Sequence, residues 1–272
     1  MRVLVSREEL EVVPLAFPET PRVVYEKNVL EEVKCQIRFP PILSIDSSPA
    51  TFQEAVRGEF PYFEMKTSVK LPAGVPAGLT QVFERDLSLG GKSYCFISED
   101  RKLTVALSRN DISLTCRGYE RWEPFQAQLL RVLNSLADVY RPSFFTHTCV
   151  RYKNSIRRGP LGLAEMPWSM LLQPWISGML DKPDIATVEA QQGRCVIKLE
   201  DGIGRVDATC SLGVHQPSKE QVFLIEAHVF DDSKKELTDV LPRLDALHRQ
   251  AGLFFHWCIT DELHRAMLPT PV

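Results

Sequence analysis

From Trp122 to Tyr140 the apolar residues Trp122, Phe125, Leu129, Val132, Leu133, Leu136 and Tyr140 recur at threes and fours, the spacing of one helical face. Pro124 fits only in the first turn of that helix, and Arg141-Pro142 ends it. Leu129, Leu133 and Leu136 should then be buried, with Gln128, Arg131 and Asp138 turned to water. A helix with one apolar stripe must bury it against something, and the rest of the chain supplies strands.

Val33, Cys35, Ile37 and Phe39 alternate with Lys34, Gln36 and Arg38, the period of a half-buried strand, which Pro40-Pro41 closes. Ser47-Ser48-Pro49 reads as a hydroxyl cap with proline at the first helical position. Phe52, Ala55, Val56 and Phe60 line the helix behind it, and Pro61 stops it. Residues 66–80, with Pro72, Gly74, Pro76 and Gly78, read as a loop. Tyr94 to Ile97, then Leu103, Val105 and Leu107, then Ile112, Leu114 and Cys116, predict an antiparallel meander.

The second half repeats this order. Residues 144–156 predict a long strand, and Trp168, Leu171, Leu172 and Trp175 predict short helical pieces broken by Pro174. Strands follow at 195–199, 206–212 and 222–230. A closing helix over about 237–250 carries Leu237, Val240, Leu241, Leu244 and Leu247 on one face. Val132-Leu133-x-x-Leu136 ahead of Phe144-Phe145 is paralleled by Val240-Leu241-x-x-Leu244 ahead of Phe254-Phe255. The expected fold is α+β, with two similar halves in β-α-β-β-β-α order. Each half is a curved antiparallel sheet packed on a long helix. Residues 1–24 form an arm or edge strand, 25–141 the first half and 142–272 the second, in one compact unit.

With 272 residues the chain can bury a sizeable core, and 44% apolar with 25% charged residues is an ordinary globular balance. A formal net charge of −3 supplies no bulk field for nucleic acid or acidic membranes. Charges interrupt the opening Met1-Arg2-Val3-Leu4-Val5-Ser6-Arg7, and no stretch reaches the roughly 20 apolar residues of a membrane span. Seven scattered cysteines (35, 95, 116, 149, 195, 210, 258) without a Cys-x-x-Cys predict buried, reduced thiols and a cytoplasmic setting.

No nucleophile elbow, P-loop or dinucleotide fingerprint is present, and the six histidines form no metal-binding spacing, so neither cofactor nor metal is expected. Asp231-Asp232-Ser233-Lys234-Lys235 reads as a polar turn and Gly202-Ile203-Gly204 as part of another. The densest basic run is Arg151-Tyr152-Lys153-Asn154-Ser155-Ile156-Arg157-Arg158. In a strand Arg151 and Lys153 face away from Tyr152 and Asn154, which argues against a stacking surface for nucleic acid. Glu226 and His228 share a face inside an apolar strand, where a lone carboxylate is costly. Arg151 is the natural partner of Glu226, as a cross-strand pair that fixes register. Tyr152, Asn154, Trp168, Trp175 and His228 are the candidates for lining a pocket or meeting a partner.

Several short patterns are shared with a bacterial family. They are Asn28-Val29-Leu30-x-x-Val33-x-x-Gln36-Ile37-Arg38-Phe39, Pro49-x-x-Phe52-Gln53 with Phe60-Pro61, and Tyr119-x-x-Trp122-x-x-Phe125. Tyr140-x-Pro142, Arg151-Tyr152-x-Asn154, Leu244-x-x-Leu247-His248 and Ile259-Thr260-Asp261-x-Leu263 complete the set. Together they resemble a sporadically distributed bacterial protein family of unknown function, over most of the chain. Where that family carries an acidic pair two apart in the penultimate strand, this chain has Glu226 and His228. The resemblance implies an accessory gene of mobile or defence-related loci, CRISPR-associated or antitoxin-like.

The expectation is a non-catalytic accessory or regulatory protein that binds a protein partner such as a toxin, sigma factor or effector component. Its rivals are a small-molecule sensor with a pocket lined by Trp168, Trp175 and Tyr152, and a divergent hydrolase or nuclease using Glu226, His228 and Arg151.

Overall fold

The computed structural model describes residues 16–68, 91–181 and 188–272. Its centre is one nine-stranded antiparallel sheet in the order β3-β4-β5-β6-β2-β7-β10-β9-β8. These strands are β2 (Leu30–Arg38), β3 (Tyr62–Ser68), β4 (Gly91–Ile97), β5 (Leu103–Ser108), β6 (Asp111–Arg117), β7 (His147–Arg157), β8 (Gln191–Lys198), β9 (Arg205–Val214) and β10 (Gln221–Asp231). A separate two-stranded ribbon pairs β1 (Val23–Tyr25) with β11 (Pro269–Pro271). The two halves expected to carry a sheet each thus share one, because β2 and β7, the first long strand of each half, pair with one another from Arg38–His147 to Leu30–Asn154. The first half also holds one strand more than expected: β3 occupies 62–68, of which 66–68 were read as loop. The remainder of that loop, 69–80, lies outside the described residues.

Helices cover one face of this sheet. The principal ones are α1 (Pro49–Val56), α2 (Trp122–Tyr140) and α3 (Leu237–Cys258), and a short α4 (Asp261–Ala266) follows α3. Alternate strand residues supply the floor beneath them. Val33, Cys35 and Ile37 of β2, Val150, Tyr152 and Ile156 of β7, and Phe223, Ile225 and Val229 of β10 are buried. Phe52 of α1 packs on Phe96 of β4 with ring centroids 5.4 Å apart. Leu129, Leu133 and Leu136 of α2 are buried as their spacing requires, and Arg131 and Asp138 are exposed. Gln128 is buried instead of exposed, because its amide bonds Glu59 and it accepts from Arg131.

α3 runs to Cys258, eight residues past the expected end near 250. Ala251, Phe254 and Cys258 prolong its apolar stripe, and the backbone N–H of Gln173 caps the Cys258 carbonyl at 2.9 Å. Phe254 and Phe255 therefore sit inside a helix while Phe145 sits just before β7, so the local parallel drawn between those phenylalanines does not hold. The polar Asp231–Lys235 segment turns from β10 toward α3 with Asp232, Ser233 and Lys234 exposed, and its two ends meet in a buried ion pair. Lys235 Nζ lies 2.9 Å from Asp231 Oδ2, both side chains are buried, and Arg243 adds a second cation at 3.1 Å. In the turn between β8 and β9, Gly204 has φ +137° and abuts the Phe230 carbonyl, leaving no room for a side chain. All seven cysteines are free thiols, and only Cys195 is more than slightly exposed. No helix among the described residues is long and apolar enough to cross a membrane.

The described part of the N-terminal arm, from residue 16, is tied down at both ends. Phe17 is buried against Phe254 and Trp257, at ring-centroid separations of 5.6 and 5.3 Å. Past the β1–β11 ribbon, the amides of Glu26 and Lys27 donate to the carbonyls of Leu268 and Met267. The arm is thereby laid across the gap between the start of α2 and the middle of α3, where the molecule is hollow.

Candidate functional site: a cavity between arm, sheet and helices

A cavity of about 540 Å³ lies beneath the arm. Its walls come from the arm at 20–25, the start of β2, the segment 119–122 leading into α2, the middle of β7 and one side of α3. On α3 the lining residues are Asp245, His248, Gly252 and His256, spaced by three or four along the helix, with Arg249, Leu253 and Phe255 beside them. This stripe runs next to the apolar one that packs on the sheet.

The polar lining is organised by hydrogen bonds among its own groups. Tyr152 Oη and His248 Nδ1 bond each other across the sheet–helix interface. The indole of Trp122 stacks on the His248 ring at 4.2 Å, with 3° between the planes. Trp122 Nε1–H donates to Asp245 Oδ1 at 2.6 Å, and Gln126 Nε2–H donates to the same oxygen at 2.5 Å. Asn154, almost fully buried, donates to the Ile225 carbonyl at 3.4 Å. At the C-terminal end Tyr25 Oη lies 2.8 Å from His264 Nδ1 and 3.3 Å from His256 Nε2.

Burial sets the protonation states. It pushes His248 down to about 4, with the Arg22 guanidinium adding to the effect, so this imidazole is neutral at pH 7. Burial, then the neighbouring His264, lowers His256 in the same sense. The Tyr119 phenol is pushed up to about 12 by burial, and burial holds Tyr152 and Tyr25 well above the ordinary phenol range. The cavity therefore presents neutral aromatic donors and acceptors and the carboxylate of Asp245, with Glu120 and Arg121 exposed at its rim. Two guanidiniums on its rim are already paired: Arg22 with Glu123 at 2.5 Å and Arg249 with Glu19 at 2.6 Å.

The candidates read from sequence are divided by this geometry. Tyr152 and Asn154 line the cavity. Trp168 does not: it is buried against Phe223 with Arg158 over its ring at 4.7 Å. Trp175 does not either: it is half-exposed and packs on Trp257 at 3.8 Å. The expected pocket of Trp168, Trp175 and Tyr152 is thus not one site: Trp168 packs on Phe223 of β10 and Trp175 on Phe254 and Trp257 of α3, and neither is in the cavity lining.

Arg151, Glu226 and His228 lie on the opposite face of the sheet. Arg151 Nη2 is 2.7 Å from Glu226 Oε1, and His228 Nε2 is 3.1 Å from the same oxygen. The pair is diagonal: Arg151 stands opposite His228, and Glu226 opposite Lys153. It is also less shielded than expected, with side-chain exposures of 29% and 31%, and the long helices among the described residues pack on the other face. Desolvation opposes ionisation of Glu226, but His228 and Arg151 outweigh it and leave its pKa lowered. Arg151 and Lys153 do point away from Tyr152, whose hydroxyl His248 holds.

The residues that sequence reading missed are Tyr25, Tyr119, Trp122, Asp245, His248, Gly252 and His256. The available signal was the polar stripe at 245, 248, 252 and 256, visible only if the closing helix is carried past 250. Among the described residues, no group of three His, Cys, Asp or Glu side chains is placed to hold a metal ion. No protein-family model matches the chain, and no curated protein matches it in sequence.

Proposed function

We propose that this chain is a ligand-binding accessory protein, a sensor that takes one small, flat, partly polar molecule into the cavity beneath its N-terminal arm. The observation that carries this reading is the cavity's volume of about 540 Å³ together with its fixed polar lining. Known ligand sites span roughly 300–1,000 Å³ and combine apolar walls with a few placed polar groups. Gly252 adds to it. It sits mid-helix, where glycine costs stability relative to alanine by roughly 1 kcal/mol, and a Cβ placed there would meet nothing within 4 Å. Glycine at that position keeps the space empty.

The test is a thermal-shift and calorimetric screen of small aromatic and heteroaromatic compounds against the whole protein and against Gly252→Leu, which fills the space. Compounds that bind the parent and lose their affinity for the variant support the site. Affinities indifferent to the filling of the cavity sink it.

A second reading, a protein partner such as a toxin, sigma factor or effector component, is favoured by β3. This edge strand exposes Tyr62, Phe63 and Met65, at 43%, 45% and 56%. An edge strand that pairs with no further described strand and carries exposed apolar side chains invites strand addition. The two readings are compatible: ligand in the cavity, partner on the edge. If Phe63→Ser with Met65→Lys leaves co-purification with every host protein unchanged, β3 is not the docking edge.

For the fold, we also propose that the halves are copies. Outward from the central β2–β7 pair the order is β6, β5, β4 on one side and β10, β9, β8 on the other, with α2 and α3 following β6 and β10. β3 has no counterpart. Superposition of 91–140 on 191–258 tests this; mismatched strand directions would refute it.

A further inference from the structure

We infer that the molecule taken into this cavity carries a positive charge: an organic amine or guanidine whose cationic head sits on Asp245 against the surrounding aromatic rings. The inference rests on the cavity being a ligand site and goes further by naming the class of ligand.

Asp245 is the reason. Both of its protein donors, Trp122 Nε1–H at 2.6 Å and Gln126 Nε2–H at 2.5 Å, are spent on Oδ1. Oδ2 receives no hydrogen bond from any described residue, and Asp245 is part of the cavity lining. A carboxylate can accept up to about four hydrogen bonds, and one held in an aromatic hollow with a free oxygen is poised for a donor.

The nearby cations do not fill that role. Arg22 is committed to Glu123 through two hydrogen bonds, Arg249 to Glu19, and Arg243 to Asp231. Glu120 and Arg121 on the rim are both exposed and opposite in sign. His248 is neutral at pH 7, so it does not cancel the carboxylate. Asp245 is left as the uncompensated charge of the lining.

The rest of the wall suits a cation rather than a bare hydrocarbon. Tyr25, Tyr119, Trp122, Tyr152 and Phe255 all contribute to it. The faces of such rings attract ammonium and guanidinium groups, more strongly where water is excluded. A carboxylate beside several aromatic rings holds an amine by charge, by hydrogen bonding and by ring faces together.

Three indole probes of matched size decide the matter: tryptamine, tryptophol and indole-3-acetate, which differ only in a cationic, neutral or anionic head. Titration calorimetry on the full chain at pH 7 should show tryptamine binding at least about tenfold more tightly than tryptophol, with indole-3-acetate weakest. In Asp245→Asn, tryptamine should fall to the level of tryptophol, and tryptophol should be little changed. Because the head-group order is read first on the unaltered protein, the answer does not depend on the variant folding. If tryptophol binds as well as tryptamine, or indole-3-acetate binds best, the cationic class is wrong while the cavity remains a ligand site. If none of the three binds at millimolar concentration, and none of the compounds screened against Gly252→Leu does, both readings fall together.

Discussion

Tyr152 and Arg151 are neighbours in β7, and the two faces of that strand place them in different solvents. Tyr152 is buried beneath α3, bonded to a neutral histidine whose pKa burial has driven to about 4. Arg151 lies on the uncovered face, in an ion pair with Glu226 that keeps about a third of each side chain in water. The first pair is stabilised by being dry, and its groups would be costly to leave unpartnered. The second pair is diluted by solvent and salt. The lesson is that a strand's alternation assigns faces, but what lies over each face decides what its polar residues can do.

The largest difference between the faces should appear in packing beneath the helices. Leu133→Ala on α2 should cost roughly 2–5 kcal/mol, measured by denaturant unfolding. A loss below about 1 kcal/mol would mean that α2 is not firmly seated on the sheet.

Next in size is acid sensitivity on the cavity side. The unfolded chain protonates His248 below about 6.5, but the folded chain resists until about 4. Its contribution is therefore fully present above the unfolded value, and it is lost as pH falls through the window from about 6.5 to about 4. The shift corresponds to about 3 kcal/mol. His256 is displaced in the same direction and should add to the slope. His248→Gln should flatten the curve of stability against pH in this window; an unchanged slope would place His248 outside the sealed cluster.

The uncovered face should yield far less. A double-mutant cycle of Arg151→Met and Glu226→Leu should give a coupling of about 1 kcal/mol or below, shrinking with added salt. A coupling of about 3–5 kcal/mol, typical of breaking a buried pair, would show that something covers this face in solution.

Smallest is a gain. Gly252→Ala should raise stability by roughly 0.5–1 kcal/mol, because alanine is the better helix former and its methyl meets open space. Its absence would mean that the wall at Gly252 is closed by neighbours.

Much of the architecture was legible locally. The stripe at Trp122–Tyr140 and the alternation in β2, β5, β6, β9 and β10 depend on side-chain periods of 3.6 and 2, which the chain carries in itself. Register pinned by one buried face likewise made Arg151 and Lys153 opposite in direction to Tyr152. The extension of α3 to Cys258 was missed although Ala251, Phe254 and Cys258 continue the stripe at threes and fours, because the end of the helix is set by the distant 172–173 segment rather than by a local stop. β3 escaped because its flanking proline and glycines outweigh a short strand whose pairing with β4 supplies its order.

The sequence by itself determined which residues could face a core and which had to find partners. Only the tertiary structure decided where those partners were. Tyr152 and His248 are 96 residues apart, and Trp122 and Asp245 are 123 apart. No local period encodes such meetings. They exist because β2 pairs with β7, which brings the two halves into one sheet and sets α2 beside α3 on the same face. The hollow that results is a property of that meeting: two helices and an arm, each packed on its own neighbours, leave between them a volume that no one of them fills.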